Sequence, residues 1–301
     1  ACHRSSARDG KTVHGRPMRT TTHLTYARPS DTLVRRLAIR SMEELSGRRR
    51  LARLYAVWQR HLASGDVPAF GMMLDLMRIS LRIEGRLPDP ATLPERLVMV
   101  ANHPFGIGDG VALLALAEQL GRPFRILINA DLMKIPEMAA YGLPVSFEET
   151  REAMAANMAT RVEAMRLLAE GTTIVVFPAG GVATAPKIFG EAADLPWKQF
   201  TARLIRSGGA AVLPIHVHGQ NGPLFHLVSR WSMTLRVGLL IGEFRRRYGR
   251  SIDLSIGPLI TAGELSAIGD RRLLTERLRQ AVFSLAQPAA EPQSAFEPIA
   301  A

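Results

Sequence analysis

A chain of 301 residues, 47% of them hydrophobic, is long enough for one large domain or two small ones with a sizeable core. Its single cysteine, Cys2, excludes an internal disulfide and a cysteine-rich metal cluster. Lys and Arg outnumber Asp and Glu by 38 to 27, a net charge of +11 that attracts phosphate groups; with 6% aromatic residues, no zinc-finger spacing and no RNA-recognition signature, the expected partner is an anionic membrane surface and not nucleic acid.

Residues 1–30 are polar, rich in Ser, Thr, Gly, His and Arg, and read as a disordered basic tail. They lack the apolar stretch of a secretory signal. No run of about 18 uncharged apolar residues occurs along the chain, so no membrane-spanning helix is expected. From 31 to 84 the pattern is helical, with an expected membrane-interface contact. Asp31 or Thr32 is placed to cap a helix starting at Leu33, and Leu51, Leu54, Val57 and Trp58 share one face of a second. Phe70, Met73, Leu74, Met77 and Leu81 mark a third amphipathic stretch reaching Ile83. A Met-rich stripe of this kind packs a core or lies on lipid with its arginines at the headgroups, and core packing is preferred here. Arginine clusters at 48–50 with Arg53, and at 245–247 with Arg250, suit a solvated face or a phosphate.

The proline-rich segment 85–95 is a hinge into an α/β domain over residues 85–286. Apolar Leu97–Ala101 predicts a strand, the polar run Asn102-His103-Pro104-Phe105-Gly106-Ile107-Gly108-Asp109-Gly110 a turn, and 109–119 a helix. A strand at Phe124–Ile128 follows, then a helix over 151–169 with Met154, Met158, Val162, Met165 and Leu168 on one face. Strands are predicted at 173–177, 211–217 and 252–256, and a last helix from Leu273 to Ala286, ended by Pro288. Residues 287–301 read as a second disordered tail. Alternating strands and helices imply a mostly parallel central sheet flanked by helices, with the N-terminal helical region packed on it.

The run at 102–110 carries chemistry. It presents His103 and Asp109 with five residues between them on a turn at a strand end, where open α/β sheets build their sites. A His oriented by a carboxylate is a general base for a hydroxyl or amine, although such residues also serve merely as helix caps. Downstream, Ile174–Phe177 reads as a buried strand ending in the loop Pro178-Ala179-Gly180-Gly181-Val182, whose glycines let backbone N–H groups approach an anion.

In this order the two blocks resemble the motifs of the glycerolipid (lysophospholipid) acyltransferases, and the first resembles a bacterial branch reading Asn-His-Pro-x-Gly-x-x-Asp-Gly. The similarity runs over roughly residues 95 to 260. It extends to Asn129–Glu137, between the two blocks, and to Leu213–Asn221, similar to a late block in which a proline closes a strand. The resemblance implies transfer of a fatty acyl group from a thioester donor, acyl-CoA or acyl-carrier protein, to a lysophospholipid or related lipid, with no bound cofactor and no metal. His103 is then the general base and Asp109 its orienting partner. Asn102, Phe177, Pro178, Ala179, Gly180, Gly181 and Lys187 are then the substrate-binding set. Arg125 and Lys198 are further candidates for a phosphate, though each also reads as an ordinary surface cation. Ala179 and Gly181 stand where the family carries Glu, which counts against a glycerol-3-phosphate-type acceptor. His216 and His218 alternate on a strand and so point the same way; they read as structural or acceptor-lining. The expected location is peripheral, on the cytoplasmic face of the inner membrane. Two alternatives stand beside this reading: an N-acyltransferase of an amino-acid lipid, and a catalytically idle basic membrane-binding protein on the same scaffold.

Overall fold

The centre of the molecule is a seven-stranded sheet in the order β1-β7-β6-β2-β5-β3-β4, where β1 is Ser80–Glu84, β2 Leu97–Ala101, β3 Phe124–Asn129, β4 Gly142–Val145, β5 Thr173–Val176, β6 Ala211–Val217 and β7 Ser251–Ile256. The computed structural model describes residues 27, 32–45, 47–63, 68–146, 148, 150–187, 189–231 and 233–286. The tails predicted at 1–30 and 287–301, with Cys2 and Asp31, lie outside these residues, Ala27 apart. Five of the six strand pairings are parallel; β6 and β7 alone pair antiparallel.

The sheet is covered on both faces, and the central strands show why. Along β2, Leu97, Met99 and Ala101 enter one core and Val98 and Val100 the other, all fully buried. A strand buried on both faces reads as a continuous apolar run, as Leu97–Ala101 does. The first core is closed by α2 (Arg48–Ala63), α3 (Ala69–Met77) and α4 (Ile107–Glu118), the second by α5 (Arg151–Ala169), α6 (Gln199–Gly208) and α10 (Arg271–Phe283). α1 (Leu33–Leu45) packs on α8 (Met233–Arg245), which packs in turn on α7 (Pro223–Trp231).

The N-terminal helices are bound to the sheet layer. Trp58 Nε1 donates to the Ala69 carbonyl at 2.6 Å, and the Glu118 carboxylate accepts from the Phe70 and Gly71 N–H groups at 3.0 and 2.9 Å. Glu118 thereby satisfies the first turn of α3, which Pro68 cannot cap. The Tyr55 hydroxyl and Gln59 amide both donate to Glu137.

The structure corrects three expectations. The stretch predicted as one amphipathic segment to Ile83 is a helix to Met77, closed by Arg78 in the left-handed region (φ 55°), followed by edge strand β1; Phe70, Leu74 and Met77 are core. The helix 151–169 is where predicted but turned: Met154, Met158 and Val162 are 61, 52 and 61% exposed, while Ala153, Thr160, Ala164 and Leu167 face inward with Leu168. Polar groups set that face. Thr160 Oγ1 donates to the Pro144 carbonyl at 2.7 Å, and Asn157 exchanges two 2.8 Å bonds with the Ser146 main chain. Finally, where the resembled family block has a proline closing its strand, Pro214 lies inside β6, which runs over 211–217 as predicted, and its carbonyl accepts from the Gly257 N–H.

Candidate active site

β2 and β5 are neighbours, yet the helix that follows β2 lies on one face of the sheet and the helix that follows β5 on the other. Their outgoing loops meet at the carboxyl ends of the two strands, where the following helices diverge, the usual position of a site in an open α/β sheet. The run at 102–110 and the loop that follows β5 pack on each other there.

Asn102 ends the first strand by continuing it with its side chain. Its Oδ1 accepts from the Val217 N–H at 2.7 Å and its Nδ2 donates to the Val217 carbonyl at 2.9 Å. Both polar atoms of this side chain, 5% exposed, are thus spent on β6. Gly106 turns the chain at φ 81°, a conformation that strains any other residue, and a Cβ there would press on Val182 and Leu240 at 3.0 Å. Asp109, fully buried in the first turn of α4, accepts on one oxygen, Oδ2, from the N–H groups of Phe105 (2.8 Å) and Gly106 (2.9 Å). These bonds fix the Asp109 side chain against the turn.

His103 Nδ1 lies 3.0 Å from the same oxygen, off the line of a well-aligned hydrogen bond. Asp109 Oδ1 has no partner among the described residues. The side chain of His103 is 17% exposed. Its ring is stacked on Phe177, centroids 4.1 Å apart. With Nδ1 turned to the carboxylate, Nε2 is the atom left for a substrate. Phe105 packs below the turn, under the Arg247 guanidinium at 4.5 Å, and its ring edge lies where Gly219 (φ 104°) has no Cβ.

The second loop reaches back to the first. After Phe177, Pro178 and Ala179 are buried, Gly180 donates to the Phe177 carbonyl, and a two-stranded bridge joins Thr184 to Ala193. The base of this hairpin holds both main-chain groups of His103: Ala183 N–H donates to the His103 carbonyl at 2.8 Å, and the His103 N–H donates to Asp194 Oδ1 at 3.1 Å. Asp194 Oδ2 accepts from Trp197 Nε1 at 2.9 Å. Burial pushes the Asp194 carboxyl above the usual range, against the pull of its bonds to Trp197 and His103. The hairpin is fastened from outside by Arg236 to the Val182 carbonyl, by the Ala185 N–H to His226 Nδ1, and by Gln220 to Ala192 and Gly190.

The structure thus brings His103, Asp109 and Phe177 together, with Gly180 and Gly181 on the adjoining loop. Lys187 lies out on the hairpin, exposed, and Arg125 donates to its own strand at the Phe124 carbonyl. Lys198 is exposed and precedes α6. His216 and His218 do point the same way, their rings 4.7 Å apart, and His218 Nε2 pairs with Ser255 Oγ at 2.7 Å. Among the described residues no three His, Cys, Asp or Glu are gathered as a metal site would need. Asp194 and Trp197 are absent from the sequence-derived set, where Arg247 stands only as part of a basic cluster. An acid and a tryptophan three apart in an Ala- and Pro-rich loop are the only trace they leave.

A family model described as acyltransferase matches residues 80–288. Lyso-glycine lipid O-acyltransferase of Phocaeicola vulgatus is 32% identical over 175 residues, which cover 55% of this chain and 60% of that protein; the chain thus spans less than two thirds of this relative's length. The crystal structure of PlsC from Thermotoga maritima, a 1-acyl-sn-glycerophosphate acyltransferase, aligns over 85% of this chain and 83% of that one, at a TM-score of 0.43 and 17% identity.

Proposed function

From the premise that this chain belongs to the acyltransferase family, we propose that it moves a fatty acyl group from a thioester, acyl-CoA or acyl-carrier protein, to the hydroxyl of a lysolipid. The observation that carries the reading is the His103–Asp109 pair at the carboxyl end of β2, stacked against Phe177 of the second loop. Nε2 of neutral His103 takes the acceptor's proton as the acceptor oxygen attacks the thioester carbonyl. Asp109 holds Nδ1 and balances the imidazolium. The tetrahedral oxyanion collapses, the C–S bond breaks, and the thiolate leaves with the proton from His103. Phe105 and Gly106 N–H groups are committed to Asp109, and Gly180 N–H to Phe177. The Gly181 and Val182 N–H groups, on the loop that carries Phe177, are candidate donors to the oxyanion, as are those of Ile107 and Gly108 at the start of α4.

The relative named a lyso-glycine lipid O-acyltransferase supports an acylated amino-acid lipid with a free hydroxyl as the acceptor. Ala179 and Gly181, in place of Glu, fit an acceptor other than glycerol 3-phosphate. None of the described helices is long and apolar enough to cross a membrane. Peripheral contact with an anionic membrane, on the cytoplasmic face where both donors occur, is supported by α1. Its Leu33, Val34, Leu37 and Leu45 are 57–81% exposed, beside exposed Arg35 and Arg40.

The test is incubation of the purified protein and its His103→Ala form with acyl-CoA or acyl-carrier protein and a lyso-amino-acid lipid, with products followed by mass spectrometry. A diacyl product from the unchanged protein alone is expected. Equal turnover by the His103→Ala form would refute the mechanism.

A further inference from the structure

We infer that Asp194 is a positioning residue for the base: it fixes the main chain of His103 and sets a second negative charge beside the imidazole. The inference rests on His103 acting as the general base.

Three observations converge on it. His103 lies beyond the end of β2's pairing, which stops at Val100 against β5 and at Ala101 against β6. Its N–H has no strand to bond and is satisfied by Asp194 Oδ1 at 3.1 Å. Second, the carboxylate is itself held. Oδ2 is tied at 2.9 Å to Trp197 Nε1, and Trp197, 8% exposed, sits in the second core against Phe283. The clasp therefore runs from the core, through Asp194, to the catalytic turn. Third, Asp194 is partly buried, and its carboxylate sits at the main chain of the residue whose imidazole lies 3.0 Å from Asp109. Poor screening makes its charge count at short range.

The role follows from the chemistry of the step. His103 becomes a cation when it accepts the acceptor's proton, and Asp109 meets that charge at Nδ1 alone. A second fixed carboxylate on the main-chain side favours the imidazolium without occupying Nε2 or touching the substrate. An uncharged residue of the same shape would keep the clasp and lose this effect.

Among the described residues the carboxylates of Asp109 and Asp194 lie at His103, with the Arg247 guanidinium over neighbouring Phe105; the experiment changes Asp194 and reads His103. Asp194→Asn and Asp194→Ser both remove the charge and keep an oxygen for the His103 N–H; either serves if the other does not fold. Trp197→Phe keeps the charge and removes the indole donor. The His103 ring is followed by proton–carbon NMR across pH, and kcat and KM are measured across the same range. In the neutral variants we expect the His103 titration and the acid limb of kcat/KM to move down together by roughly one pH unit. We expect kcat to fall roughly tenfold or more with KM for the acyl donor little changed. Trp197→Phe should leave the limb in place. Lost activity with an unmoved titration and limb would reduce Asp194 to a loop clip and overturn the proposal. The NMR arm needs no turnover, so failure of the reading beneath it, seen as an active His103→Ala form or as no product from the unchanged protein, is told apart from failure of this one.

Discussion

The imidazole of His103 and the ring of Phe177 are stacked, 4.1 Å between centroids and 23° between planes. The two residues belong to different loops, 74 positions apart in sequence, and the stack is where those loops meet. It confines imidazole rotation from the side that Asp109 does not reach. Phe177→Leu keeps the apolar volume and removes the flat face. The expected result is a fall in kcat of about tenfold with little change in stability, since near-attack geometry is sensitive to small displacements. Steady-state kinetics beside a thermal melt checks this. An unchanged kcat would mean that Asp109 alone orients the base.

Asp109 Oδ2 accepts from two backbone N–H groups and lies 3.0 Å from Nδ1 of His103. In Asp109→Asn an amide oxygen can still serve the backbone pair. The charge that selects the Nδ1–H tautomer and balances the imidazolium is gone. A loss of about 10³-fold or more in kcat is expected, by the logic of a triad aspartate. The variant should still bind acyl donor, as measured by calorimetry. Activity within about tenfold of the unchanged protein would remove Asp109 from the mechanism.

Asn102 was expected at the substrate and is found joining two strands. Both of its amide atoms bond to Val217, and the side chain is buried. Asn102→Ala leaves a buried N–H and a buried carbonyl unpaired, a cost of about 2–4 kcal/mol. A lower midpoint in urea unfolding is the expected outcome, with kcat lost through displacement of His103, its chain neighbour. Full stability with raised KM for the acceptor would instead make Asn102 a substrate contact.

How much of this could be read in the sequence depended on range. β2, the turn and α4 were legible because an apolar run, a Gly-rich polar turn and a second apolar run follow within about 20 residues. Helix α5 was legible in extent, since Thr150 caps it and Gly171 follows its end, but not in orientation. Its methionines outweigh Ala153, Thr160 and Ala164 in any hydrophobic count. The inward face is nevertheless set by a hydroxyl bonding to β4 and by small side chains that let the helix approach. β4, four residues with a Pro inside, gave no alternation to read. In the site, His103 and Asp109 were found because they are near in sequence. Asp194 lies 91 positions from His103, and only the folded hairpin brings it there.

His216 offers a test that needs no substrate. It lies on β6, 7% exposed, with its ring against His218 and Phe283, and its Nδ1 has no partner among the described residues. Burial, and secondarily the charge on His218, push its pKa from 6.5 down to about 4. The unfolded chain binds this proton from about pH 6.5 and the native state only near 4, so protons favour unfolding between those values. Stability is therefore whole above pH 6.5 and declines as pH falls towards 4, by about 3 kcal/mol for this group. His216→Phe keeps an aromatic ring against Phe283 and removes the titration. Urea unfolding at intervals from pH 4.5 to 7.5 should show a flatter stability profile for the variant, with the two proteins differing least near neutrality. Parallel profiles across that range would show that the proton lost on folding belongs to another group.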